Sequence, residues 1–295
     1  MENPTAALVR TTLNATSLIA PRLAGKGVFA LFRRPVIRAG LRPADRELMD
    51  EARTGRLTVS GKRVVTYRWG SGERPVLLVH GWQSRASHLA GFIAALREKG
   101  YSPVAFDAPG HGESAGQATS IFEYREAIHQ LHAEYGDFEA IVGHSFGVMA
   151  TFYALRGDMR ARRLVAIAGA VEFDFLVEQF CAALSMRARL AAELRRRLEG
   201  VTSPGEAEPW KLWTATHRPW EIEAPLLVIH DEDDDLIPAE QAHRLAAAYG
   251  SRSRLLTTRG LGHRRILGDP EVIAAVREFV ALDAPRQLSS SSSET

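Results

Sequence analysis

The stretch Gly143-His144-Ser145-Phe146-Gly147 combines a hydroxyl side chain with two glycines at the spacing of a sharp turn. An apolar run, Phe138 to Val142, precedes it and reads as a buried strand. A second, Val148 to Leu155, follows it and reads as the start of a helix. In a strand–turn–helix of this kind the turn lifts its serine clear of the backbone, and side chains at 143 and 147 would collide with the flanking elements. Ser145 then sits at a helix N-terminus, whose amides and dipole favour a developing negative charge. The chemistry implied is nucleophilic attack. A serine hydroxyl is a poor nucleophile near neutral pH, so it needs a base, and the base needs an orienting acid. Two later stretches offer them: His230-Asp231-Glu232-Asp233-Asp234-Asp235-Leu236-Ile237-Pro238, and Gly260-Leu261-Gly262-His263.

The elements that must position these residues follow from hydrophobic pattern. Leu57 to Val59 and Val64 to Trp69 read as an antiparallel pair turned through Ser60-Gly61. Strands are expected at Val76–Val79, Pro103–Phe106, Arg163–Ala168, Pro225–His230 and Arg254–Thr257. Helices are expected at His88–Glu98, Ile121–Tyr135 and Pro270–Val280. Strands separated by helices imply a mostly parallel sheet covered on both faces, with the ligand crevice off the strands' carboxyl ends. The polar stretches quoted above fall at such ends, as do His80-Gly81-Trp82 and Asp107-Ala108-Pro109-Gly110-His111-Gly112-Glu113-Ser114.

Two regions break this rhythm. Residues 1–54 read as a helical extension with amphipathic segments around Leu8–Ile19 and Val28–Phe32 and a short helix over Ala44–Arg53. It is expected as an arm on the domain's flank; the alternative is a peripheral membrane-surface or dimer contact, because apolar residues and arginines alternate there. Residues 171–219 are far more than a crossover needs. Their amphipathic helices, a loop at Ser203-Pro204-Gly205, and Trp210, Trp213 and Trp220 read as a lid over the crevice, with Trp210 and Trp213 either core residues or one of them facing substrate. Core is expected at 55–170 and 220–283, and a disordered polar tail at 284–295, including Ser289 to Ser293.

Composition narrows the classes. With 45% hydrophobic and 24% charged residues the chain has the make-up of a globular protein with a sizeable core. A net charge of +2 does not suggest nucleic acid as partner. The single cysteine, Cys181, rules out an intrachain disulfide and fits a reducing, cytoplasmic setting. No apolar stretch reaches the ~20 residues of a spanning helix, and the start lacks a basic secretory n-region. His129 and His132, one turn apart, would share a helix face, but no third ligand is visible, so no metal is expected.

These landmarks in order resemble the α/β-hydrolase fold, and the similarity runs from about Val64 to Val280. The resemblance implies a central, mostly parallel sheet, a small helical lid, and a serine hydrolase of the esterase or lipase kind. Carried over, Ser145 is the nucleophile and His263 the general base. Family members carry the acid four residues before a proline that follows two apolar residues, which points to Asp234. Asp233 and Asp235 flank it, and a rarer variant would use Glu172 or Asp174. The oxyanion donors implied are the backbone N–H groups of Trp82 and Phe146, whose side chains would line a pocket with Trp213. His80 is expected to make a structural hydrogen bond, His144 to pack, and His111 and Asp107 to hold a turn. Arg264 and Arg265 are expected as surface residues; the alternative is a positive site mouth that favours anionic substrates. The substrate implied is a small acyl ester with an apolar portion, with no cofactor or metal. Alternatives are an acyltransferase using the same triad and, on the same fold, a non-catalytic binding protein.

Overall fold

The computed structural model describes residues 4–201 and 209–282. The expected tail at Ser289 to Ser293 and the loop at Ser203-Pro204-Gly205 lie outside the described residues. In chain order the elements begin with α1 (Pro4–Ile19), α2 (Pro21–Phe32), α3 (Arg46–Asp50), β1 (Arg53–Val59), β2 (Lys62–Arg68) and β3 (Pro75–Val79). There follow α4 (Ala90–Glu98), β4 (Ser102–Asp107), α5 (Ile121–Tyr135), β5 (Ala140–His144), α6 (Phe146–Ala154) and β6 (Leu164–Ile167). The chain continues through α7 (Phe173–Ala183), α8 (Ala188–Glu199), β7 (Leu226–Asp231), α9 (Ala239–Tyr249), β8 (Ser253–Thr258), α10 (Gly262–Arg265) and α11 (Pro270–Ala281).

All eight strands join one sheet in the order β1-β2-β4-β3-β5-β6-β7-β8. β1 and β2 form a hairpin through Ser60 and Gly61, both at positive φ, and β2 pairs antiparallel with β4. From β4 to β8 the neighbours are parallel. Because successive side chains in a strand point to opposite faces, the apolar strands feed two cores. On one face Leu77, Val79, Ile141 and Val228 pack beneath α5, α6 and α9. On the other Val76, Leu78, Val142 and Ile229 meet α4 and α11. The expected strands and helices are present to within a few residues. One exception is the helix expected over Ala44–Arg53: α3 covers only Arg46–Asp50, because Arg53 already belongs to β1.

The N-terminal extension does more than flank the domain. α1 and α2 pack on each other and on α8, where Asn14 bonds the backbone of Ser185 and Arg187 and Arg197 donates to the carbonyl of Arg22. Helices α7 and α8 lie in the long β6–β7 connection, and Trp213, beyond them, is buried between Phe122 and Phe173. Phe32 contacts Phe173 and Phe180 edge to face, joining the extension to that connection.

Candidate active site

Ser145 occupies the turn between β5 and α6 with φ 55°, ψ −123°, a conformation that L-residues hold only where the surroundings enforce it. A Cβ at Gly147 would lie 2.3 Å from the Val79 carbonyl oxygen, and one at Gly143 would lie 3.0 Å from the Val148 backbone. The steric demand on the two glycines therefore comes from β3 as well as from α6. Placement of the turn at the carboxyl end of a central strand makes Ser145 part of the lining of a cavity of about 1160 Å³.

Three side chains from distant parts of the chain form one hydrogen-bonded row. The Ser145 hydroxyl lies 3.0 Å from His263 Nε2, and His263 Nδ1 donates to Asp234 Oδ2 at 2.7 Å. All three residues are less than a tenth exposed. Burial would raise the Asp234 carboxyl, but the hydrogen bonds from His263 and from the Ile237 and Leu236 amides outweigh it and hold the group below its ordinary value. Asp234 therefore stays anionic near neutral pH and fixes His263 with its proton on Nδ1. Of the other acids weighed for this place, Asp235 is exposed and the rest are engaged elsewhere. Asp233 accepts from the Gly260 amide, Glu172 from Gln241 and Arg244, and Asp174 from Arg195.

Asp231, the last residue of β7, is buried and acts as a hub. Its oxygens accept from the amides of Asp233, Leu261 and Gly262 and from the Thr258 hydroxyl, at 2.7 to 3.1 Å. These bonds outweigh burial and lower its pKa. The hub ties the Asp234 loop to the His263 loop. Nothing in the sequence assigned it that part; the available signal was an acid at the last position of a buried strand.

The stretch after β3 approaches the serine so closely that a Cβ at Gly81 would fall 2.7 Å from Ser145 Cβ. His80 Nδ1 donates to the Gly81 carbonyl at 2.7 Å, and its Nε2 accepts from the Ala108 amide. In a trans peptide the N–H points opposite to the carbonyl, so this bond aims the Trp82 N–H away from His80. Next along, the Gln83 amide donates to His111 Nε2, and His111 Nδ1 donates to Pro109 O. Burial lowers the pKa of His80 to about 4 and of His111 to about 3, the latter with help from His80, so both act as neutral, fixed-tautomer struts. Phe146 opens α6, so its N–H has no intrahelical acceptor. Among the described residues neither it nor the Trp82 N–H has a hydrogen-bond acceptor.

Asp107 holds the following turn through the Ala86 and Glu113 amides and the Tyr67 hydroxyl. A buried arginine, Arg85, lies 3.6 Å from it, a partner that the sequence did not reveal. His144 packs against the His263 ring, 4.9 Å between centroids, and donates from Nε2 to the His263 carbonyl. Burial, then the neighbouring His263, lowers its pKa to about 3. His129 and His132 bond Ala154 O and Asp137 separately, and among the described residues no cluster of metal-ligating side chains occurs. The cavity wall includes Trp82, Phe146 and Trp213, together with Phe29 and Phe32 from the extension and Phe173 and Phe180 from α7. Trp210 packs against the core without lining the cavity, and Trp220 is exposed. Arg264 and Arg265 are exposed yet also line the cavity.

The fold is that of a known class. A model of the alpha/beta hydrolase family matches residues 76–276, and the chain belongs to that family. Among curated relatives, a non-heme haloperoxidase from Rhodococcus erythropolis is 26% identical over 253 residues, covering 70% of this chain and 92% of the relative. The esterase YjfP of Escherichia coli strain K12 is 26% identical over 226 residues, 69% of this chain and 86% of its own. Among solved structures, an esterase from Pyrococcus furiosus superposes with a TM-score of 0.62 at 19% identity, covering 82% of this chain and 97% of that one. At that identity the likeness is one of fold. Among the described residues no helix is long and apolar enough to cross a membrane.

Proposed function

We propose that this chain is a serine hydrolase that cleaves a carboxylic ester or related acyl bond through an acyl-enzyme. The observation that carries the reading is the row Asp234–His263–Ser145, with bonds of 2.7 and 3.0 Å, and with Ser145 and His263 in the lining of a cavity. His263 Nε2 takes the Ser145 proton as Oγ attacks the ester carbonyl, and Asp234 stabilises the imidazolium that forms. The Trp82 and Phe146 N–H groups receive the oxyanion, a contribution on the order of a few kcal/mol to the barrier. Collapse of the tetrahedral intermediate returns the proton from His263 to the departing alcohol and leaves Ser145 acylated. Water, deprotonated by His263, attacks the acyl carbon; the second intermediate releases the carboxylic acid, and Oγ regains its proton.

The aromatic wall suits an apolar portion of the substrate, with residues 171–219 as a lid and residues 1–54 as a second cover. A cytoplasmic, soluble enzyme without cofactor completes the reading. It is tested with p-nitrophenyl esters from two to twelve acyl carbons, alongside Ser145→Ala. Turnover that disappears in the variant supports the proposal. Full turnover by Ser145→Ala contradicts it, as does halide oxidation by peroxide without ester cleavage, since one relative is named a haloperoxidase.

A further inference from the structure

The lining of the Ser145 cavity separates into two chemical groups. One is a connected aromatic cluster: Phe32 touches Phe173 and Phe180, and Trp213 touches Phe173 and Phe122. The other is cationic and comes from elements far apart in sequence: Arg42 after α2, and Arg264 and Arg265 in α10.

The charges of this lining do not cancel. Among the described residues that line the cavity, Arg33, Arg42, Arg264 and Arg265 are accompanied by two carboxylates of acidic side chains, Asp45 and Asp269. Asp45 is consumed by Arg42 in a two-pronged pair at 2.6 and 3.1 Å. Asp269 caps α11, accepting from the Glu271 and Val272 amides at 3.0 Å. Arg33 leans on Glu123 and the Thr119 carbonyl. The uncompensated positive charge thus falls on α10. Arg265 spends one N–H on the Gly260 carbonyl at 2.7 Å. The Arg264 side chain has no hydrogen-bond or ion-pair partner among the described residues, while its carbonyl accepts from the Ile266 amide. Arg264 directly follows His263 in the chain and lines the same cavity as Ser145. A guanidinium presents a planar fork of donors that matches a carboxylate.

We propose that Arg264, with Arg265 beside it, is an anion-recognising subsite, and that the preferred substrate is an ester carrying a carboxylate besides its apolar part. The proposal rests on the hydrolase reading and narrows its substrate class. Because the arginines are exposed, solvent screening limits the gain to about tenfold in kcat/KM, expressed mainly in KM.

The test compares two eight-carbon substrates, mono-p-nitrophenyl suberate and p-nitrophenyl octanoate, which differ in a terminal carboxylate. The quantity read is the ratio of their kcat/KM values. In Arg264→Gln and Arg264→Gln/Arg265→Gln the ratio should fall about tenfold. It should fall further in Arg264→Glu and be largely kept in Arg264→Lys, with folding of each variant checked by thermal unfolding. Salt near 1 M should compress the wild-type ratio toward that of the variants. A ratio that is the same in wild type and all folded variants overturns the subsite while leaving the hydrolase reading intact. Failure of folded wild type to cleave either ester takes down both.

Discussion

The chemistry of this molecule is set by where single atoms are held. Asp234→Asn keeps the shape of the acid but not its charge, and the resulting hydrogen-bond pattern favours the wrong His263 tautomer. The expected loss in kcat is on the order of 10³–10⁴-fold, measured on the best ester of the panel, whereas Asp233→Asn should cost little. Equal losses in the two variants would reassign the acid. Asp231→Ala removes the acceptor of three amides and one hydroxyl, so urea unfolding should show about 3 kcal/mol less stability. As candidates, Ser145, His263 and Asp234 could be named from the glycine spacing of one turn and from the chain order and the Leu236-Ile237-Pro238 landmark that the family resemblance supplies. Asp231 could not, because its partners Thr258, Leu261 and Gly262 come from beyond the next strand. They meet it only through the β7–β8 register that pairs Asp231 with Thr258.

Among the elements, the sheet was readable because its central strands are short, wholly apolar and bounded by turn residues. What periodicity does not reveal is which surface an amphipathic helix covers. α2 was visible as a helix, but its delivery of Phe29 and Phe32 to the cavity depends on packing against α8. If the extension shapes the pocket, Phe32→Ala should lower kcat/KM for ten- and twelve-carbon esters several-fold more than for the acetate, through lost apolar contact. A uniform effect across chain lengths would instead mark Phe32 as scaffold only. At the turn between β5 and α6, Gly147→Ala drives a methyl into the Val79 carbonyl, and a loss of about 3 kcal/mol or more in urea unfolding is expected. Wild-type stability in that variant would show that β3 yields there.

For the whole molecule, the buried neutral histidines couple fold to pH. His80, His111 and His144 have folded pKa values of about 4, 3 and 3, all below the ordinary 6.5. Above pH 6.5 folded and unfolded chains alike keep them neutral, and their contribution to stability is fully present. As pH falls below 6.5 the unfolded chain takes up protons first, so stability should decline progressively toward pH 4. Urea midpoints between pH 8 and 4 check this, and a flat profile would mean that the three rings are not held neutral. These struts brace the Gly81–Gln83 segment and His263, so the same acid range should erode activity. The central claim remains covalent chemistry at Ser145, and mass spectrometry of the protein after exposure to a fluorophosphonate tests it most directly. One adduct on the peptide containing Ser145, absent from Ser145→Ala and slow to form in Asp234→Asn, is the predicted result. An adduct on another residue, or none on folded protein that still cleaves esters, would contradict the account.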